Sequence, residues 1–180
     1  MRLGVDEVGV TELMAVTEHT QGMSAGAAGL LLESIEDDHA LVPLIDPAAA
    51  DGPVRWLLDE IRATLSETMG TDRIPALWRA LARNPHYIES TWRKEQVVMR
   101  EGKLTARDKR RIALGVAMNV RSRYMIEYNT AILRHAGDTD EDILEILGVV
   151  DHYNCLNTLS DGMQIESDIR PPLSPRSTLR

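Results

Sequence analysis

The chain has 180 residues, a formal charge of −8, 43% hydrophobic residues and 27% charged ones, which predicts one ordinary globular domain with at most a short appendage. The acidic balance argues against nucleic acid as a partner, because phosphate binding needs a basic face. No run approaches the ~18 apolar residues that span a bilayer, and Met1-Arg2 followed by Asp6, Glu7 and Glu12 resembles neither a signal peptide nor a transit sequence, so a cytoplasmic protein without a membrane partner is expected.

The elements read as helices throughout, with no period-2 strand bounded by turns. An N-terminal helix is expected within 1–36. Residues 37–53 are polar, carry Pro43, Pro47 and Pro53, and read as a linker. Val54, Leu57, Leu58, Ile61, Leu65 and Met69 recur at helical spacing, and Gly70 is placed to stop that helix. A short helix over 74–83 carries Trp78. Asn84-Pro85 offers an N-cap and a first-turn proline for a helix running to about Met99. Thr105-x-x-Asp108 resembles a capping box and opens a helix through Ile112, Leu114, Ala117 and Met118. A helix over about 122–136 stops at Gly137. Thr139-x-x-Asp142 opens a last helix to about Ile165. This makes 54–165 one helical domain. Residues 166–180, with Pro171, Pro172 and Pro175, read as a flexible tail; Arg170, Arg176 and Arg180 follow Asp168 without an acid. Trp56, Trp78 and Trp92 are expected in the core or an interface.

One internal echo crosses these boundaries. At an offset of 133, residues 11–35 resemble residues 144–168. Glu12 falls on Glu145, Val16 on Val149, His19 on His152, Gly29 on Gly162, Glu33 on Glu166 and Ser34 on Ser167. The Gly and Glu-Ser matches are not imposed by helix periodicity. The first helix therefore reads as a repeat relic of a last helix. It is expected to pack against the body of its own or a neighbouring chain.

Residues 75–163 carry a family resemblance. The segments NPHYIESTW, EGKLTARDKRRIALGVAMN, LRHAGDTDEDI and VVDHYNCLN stand in an order and spacing similar to those of the AhpD-like alkylhydroperoxidases of the carboxymuconolactone decarboxylase family. The resemblance implies an all-α, AhpD-like helical bundle and a homo-oligomer; the N-terminal helix is extra. Redox members of that family carry Glu-x11-Cys-x2-Cys-x3-His, with the His eight residues before the Gly that ends the helix. Counted back from Gly137, the resemblance places Arg110 at the Glu position. Ser122 and Met125 take the Cys positions, and Asn129 takes the His position.

Those replacements argue against the family's thiol chemistry. Peroxide reduction needs a thiolate and a resolving thiol. A serine hydroxyl cannot form a disulfide, and methionine has no ionisable sulfur. Asn129 cannot shuttle a proton as histidine does, and Arg110 cannot act as a base. The chain's one cysteine, Cys155, reads as a small buried hydrophobe. No confident catalytic residue, no metal and no cofactor is expected.

A remodelled pocket is a separate matter. Arg110 with nearby hydroxyl and amide groups would suit a small anionic ligand. Against that, Arg107, Lys109, Arg110 and Arg111 also read as one solvated basic stripe. The candidate pocket residues are Arg110, Ser122, Tyr124, Glu127, Asn129 and His152. His152 lies beside Asp151, but neighbours on a helix point apart, and a packing role covers both His152 and its echo His19. Two functions remain open. One is a non-redox binding or assembly protein that has lost the family's site. The other is a divergent enzyme with lyase- or hydrolase-type acid–base chemistry on a small organic acid.

Overall fold

Seven helices carry the computed structural model, which describes residues 6–165; among them there is no strand. In chain order they are α1 (Glu7–Gly29), α2 (Gly52–Met69), α3 (Ala76–Leu81), α4 (Pro85–Met99), α5 (Ala106–Asn119), α6 (Arg123–His135) and α7 (Asp140–Gly162). The reading of 166–180 as a flexible tail lies outside the described residues, as do Glu166 and Ser167 of the echo.

Local chemistry sets the helix ends. Asn84 accepts from the Tyr87 N–H, Thr105 from the Asp108 N–H and Ser122 from the Met125 N–H. Thr139 and Asp142 form a complete capping box at the start of α7, so two donors that the helix leaves free are satisfied reciprocally. Gly70 closes α2 with φ 69°, a left-handed conformation that suits glycine.

The core forms where α2, α3, α4 and α6 meet. α2 buries Leu57, Leu58, Ile61, Leu65 and Met69, an unbroken stripe at helical spacing. α3 buries nearly every side chain and sets Trp78 edge-on against Trp92 of α4, with ring centroids 5.3 Å apart. That arrangement favours two aromatic quadrupoles. Residues 30–51 connect α1 to α2 and pack along this core through Leu32, Ile35, Leu44 and Ile45. Trp56 is not in the core: its side chain is 64% exposed. Only the other two tryptophans belong to the core.

α5 is the central strut. α6, α1 and α7 all lie against it, and α1 also reaches α4 and α6. α1 turns Val16, His19, Thr20, Met23, Ser24 and Ala27 inward. α7 touches α5 only through its first half, where Ile146 and Val150 face Gly115. From Asp151 to Leu159 every residue of α7 is exposed. Cys155 lies in that stretch, which corrects its reading as a buried hydrophobe.

α1 and α7 end earlier than periodicity suggested, and in the same way. Leu31 has φ 60° and Gln164 has φ 52°. The chain then folds back: the Leu32 N–H donates to the Ala27 carbonyl and the Ile165 N–H to the Ser160 carbonyl. A left-handed non-glycine residue costs about 1 kcal/mol, offset here by satisfying carbonyls that the helix end leaves free. Leu31 and Gln164 are 133 residues apart, the offset of the echo.

Candidate functional site

Three helices converge on one acid. Ile88, Trp92, Glu95 and Met99 form the inward stripe of α4, so Glu95 is a carboxylate set into an apolar face. Burial of an ionised carboxylate is strongly unfavourable unless it is paired. Here two partners meet it. His19 of α1 donates from Nε2 to Oε2 at 2.5 Å, and Arg110 of α5 donates from Nη2 to Oε1 at 2.5 Å. The side chains of His19 and Glu95 are each 4% exposed and that of Arg110 is 15% exposed.

The rest of the cluster orients the arginine. Arg110 Nη1 lies 3.5 Å from Asn129 Oδ1, a long contact, and the guanidinium sits over the Tyr128 ring at 5.7 Å. Asn129 donates its own amide to the Met125 carbonyl at 2.8 Å, which fixes its oxygen towards Arg110. Burial pushes the Glu95 carboxyl up, but the Arg110 charge and the His19 hydrogen bond outweigh it and hold it down at about 2. Burial lowers the Arg110 pKa, yet the Glu95 charge raises it overall. Burial, reinforced by Glu95, raises the Tyr128 hydroxyl above its usual value. Among the described residues, the Tyr128 hydroxyl, Trp78 Nε1 and Ser24 Oγ are buried without a hydrogen-bond partner.

Arg110 also forms part of a cleft wall. The cleft, of about 580 Å³, is lined by Met99, Arg107, Arg110, Ile132, Leu133 and His135 among others. The polar groups in and beside it are already engaged. Arg107 and Arg111 share the buried Asp138, and His135 donates to the Glu67 carbonyl at 3.1 Å. Lys109 is buried, donating to the Arg100 carbonyl and pairing with Glu12. The basic run is therefore paired rather than free: Arg107 stays exposed, but acids from α1, α4 and the turn before α7 meet all four charges.

The expected pocket does not assemble as a set. Arg110 and Asn129 meet. Ser122 is the cap of α6, and Met125 fills the core. Tyr124 points away and accepts from the Leu77 N–H at 3.0 Å. Glu127 binds Ser34 and the Ile35 N–H, tying the 30–51 connection to α6. His152 stands exposed on α7, edge-on to Tyr153, and is no part of the site. Glu95 is not among the expected site residues. Its signal was a lone acid three residues after Trp92 and four before Met99, on an otherwise apolar stripe. In the sequence, His19 stands out only as the echo of His152. Among the described residues no three His, Cys, Asp or Glu side chains converge as metal ligands would, and no helix is long and apolar enough to cross a membrane.

Comparison with known proteins agrees with this architecture. The model of the carboxymuconolactone decarboxylase family matches residues 85–165, from the start of α4 to just beyond the end of α7. The crystal structure of the alkylhydroperoxidase AhpD core from Rhodospirillum rubrum ATCC 11170 is similar at 32% identity and a TM-score of 0.64. The match covers 71% of this chain and 93% of that one. No curated protein matches. A shared helical order at that identity, over nearly the whole of the solved chain, makes this chain an AhpD-like member of the carboxymuconolactone decarboxylase family.

Proposed function

We propose that this chain is a non-redox member of its family that has lost the peroxidatic residue set and works as an oligomeric assembly protein. The observation that carries this reading is α7. It is a 23-residue helix with no buried residue. Leu144, Leu147, Val149, Tyr153, Leu156, Leu159, Met163 and Ile165 are all exposed on or just beyond it. Eight apolar side chains, each about half exposed, present on the order of 800 Å², the area that one partner of a standard interface covers. Apolar side chains left exposed in a large contiguous patch mark an interaction surface. The echo indicates which face is meant to be covered: Val149, His152 and Leu156 fall on Val16, His19 and Met23, which α1 buries against its own chain. A second copy is the proposed cover.

The loss of redox chemistry is supported from the site itself. The chain's one cysteine, Cys155, is exposed on α7, while Glu95, the one acid of the site, is held by His19 and Arg110. A thiol peroxidase needs a thiolate beside a second thiol or an external one. Sedimentation velocity and a thiol-dependent peroxide assay together test the proposal. The expected result is an oligomer that Leu156→Asp reduces to single chains, with no peroxide turnover attributable to Cys155. Single chains in the unmodified protein would contradict the assembly role, and turnover lost in Cys155→Ser would contradict the non-redox role.

One observation favours the second reading, acid–base chemistry on a small organic acid. Arg110 keeps its 15% exposure on the cleft wall. In that case a ligand carboxylate would compete with Glu95 for the guanidinium. A panel of small carboxylic acids would then raise the melting temperature, and Arg110→Ala would remove the rise.

A further inference from the structure

α7 leaves its own chain at a definite place. It runs beside α5 in the same direction: Arg111 meets Asp142 at 3.6 Å, and Gly115, one turn on, faces Ile146 and Val150. α5 ends at Asn119. At about 1.5 Å of rise per residue, roughly the last three turns of α7 lie past that end. From Asp151 to Leu159 every residue there is exposed.

At the same end of the molecule, the turn between α5 and α6 meets the end of α1. Together they form a groove of about 280 Å³, lined by Ala28, Leu31, Leu32, Glu33, Arg121 and Arg123 among others. Two of these residues, Leu31 and Arg121, have left-handed backbones, with φ 60° and 59°. Glycine makes such a turn without the clash that a Cβ brings, as Gly70 and Gly137 do. What leucine and arginine add is a side chain, and the core takes up neither. Leu31 is 69% exposed, and Arg121 is exposed as well.

The uncovered helix carries acids alone. Between Asp140 and Ile165 stand six acids and no lysine or arginine. Two α7 helices side by side would set like charges together, so the surface that meets α7 should be cationic. Among the described residues, Arg83, Arg100 and Arg121 are the lysines or arginines without an acidic partner. Arg83 donates to the Pro43 carbonyl at 2.8 Å. Arg100 stands at the other end of α5, where Lys109 donates to its carbonyl. Arg121 lies where α7 projects. We propose that this groove receives the last turns of α7 from a second copy. Ala28 and Leu31 meet its apolar stripe, and Arg121 faces Asp161, the one acid in those turns. Because groove and helix share one end of the chain, a twofold axis there seats each α7 in the groove of the other copy. This inference rests on the assembly reading and names the surface that covers α7.

Sedimentation velocity over a dilution series of the full chain tests it. Leu31→Gly removes the side chain and relieves the backbone. The dissociated variant should melt within about 3 °C of the unmodified chain, while the midpoint concentration of assembly rises about five-fold or more. Arg121→Asp and Asp161→Arg should each raise the midpoint by a similar factor. An equimolar mixture of those two variants should assemble as the unmodified protein does, because each mixed pair sets opposite charges at both contacts. Unshifted midpoints in Leu31→Gly and Arg121→Asp would overturn this inference and leave the assembly reading standing. A mixture that assembles no better than either variant alone would overturn the pairing with Asp161. Single chains at every concentration of the unmodified protein would overturn both the inference and the reading it rests on.

Discussion

α1 and α7 are both 23 residues long, both lie against α5, and both end in a left-handed residue at matching positions. Yet α1 buries seven residues and α7 none. The difference is one of partners rather than of sequence type. α1 finds α4, α5 and α6 of its own chain and contributes His19 to a buried charge. α7 finds α5 for two turns and then runs on with its apolar residues uncovered. A helix of that composition gains its stability from tertiary packing, and under the proposed assembly a second copy supplies the surface for its second half.

The largest expected effect lies on the α1 side. Glu95→Ala leaves Arg110 buried without its counter-charge, and removing one partner of a buried pair costs about 3–5 kcal/mol. Urea denaturation of the variant should show that loss. A cost below about 1 kcal/mol would mean that solvent reaches the cluster and that α1 does not seal it.

The echo pair Met23 and Leu156 gives the sharpest contrast. Met23→Ala empties a buried site and should cost about 2–5 kcal/mol. Leu156→Ala, its counterpart on α7, should cost under about 0.5 kcal/mol in a dilute, dissociated chain. It should instead raise the concentration needed for assembly. Equal costs in the dilute chain would break the comparison.

Acid should loosen the α1 side by a smaller amount. The Glu95 carboxyl sits at about 2 in the fold, below its ordinary 4.5. A depressed carboxyl stabilises the fold above its ordinary value, and that contribution fades as pH falls from about 4.5 through 2. The loss amounts to a few kcal/mol. Urea midpoints measured at successive pH values should fall through that window, and Glu95→Gln should flatten the fall. An unchanged slope in Glu95→Gln would assign the acid sensitivity to other carboxylates, such as Glu60, which Arg93 also holds at about 2 despite partial burial.

Much of the fold was legible because its signals are local. Asn84-Pro85, Thr105, Thr139-Asp142 and Gly70 mark helix ends by chemistry confined to one turn, and the α2 stripe shows its buried face within eighteen residues. The site was legible only in part. Arg110 and Asn129 were named and do meet. Glu95 was not, because its partners His19 and Arg110 lie 76 and 15 residues away, and periodicity carries no information about which distant charges fill an apolar stripe. His152 was included because residue type and echo cannot tell a covered helix from an uncovered one. Trp56 lies one residue off the buried face of α2 that Leu57 and Leu58 occupy, so its residue type alone does not separate core from surface.

Hydrogen exchange along α7, followed as the protein is diluted, tests the central claim most directly. Amides from Asp151 to Gly162 should be protected at high concentration and exchange freely at low concentration, while those of α1 stay protected throughout. Fast exchange over Asp151–Gly162 at every concentration would contradict the account, because the exposed half of α7 would then have no partner to cover it.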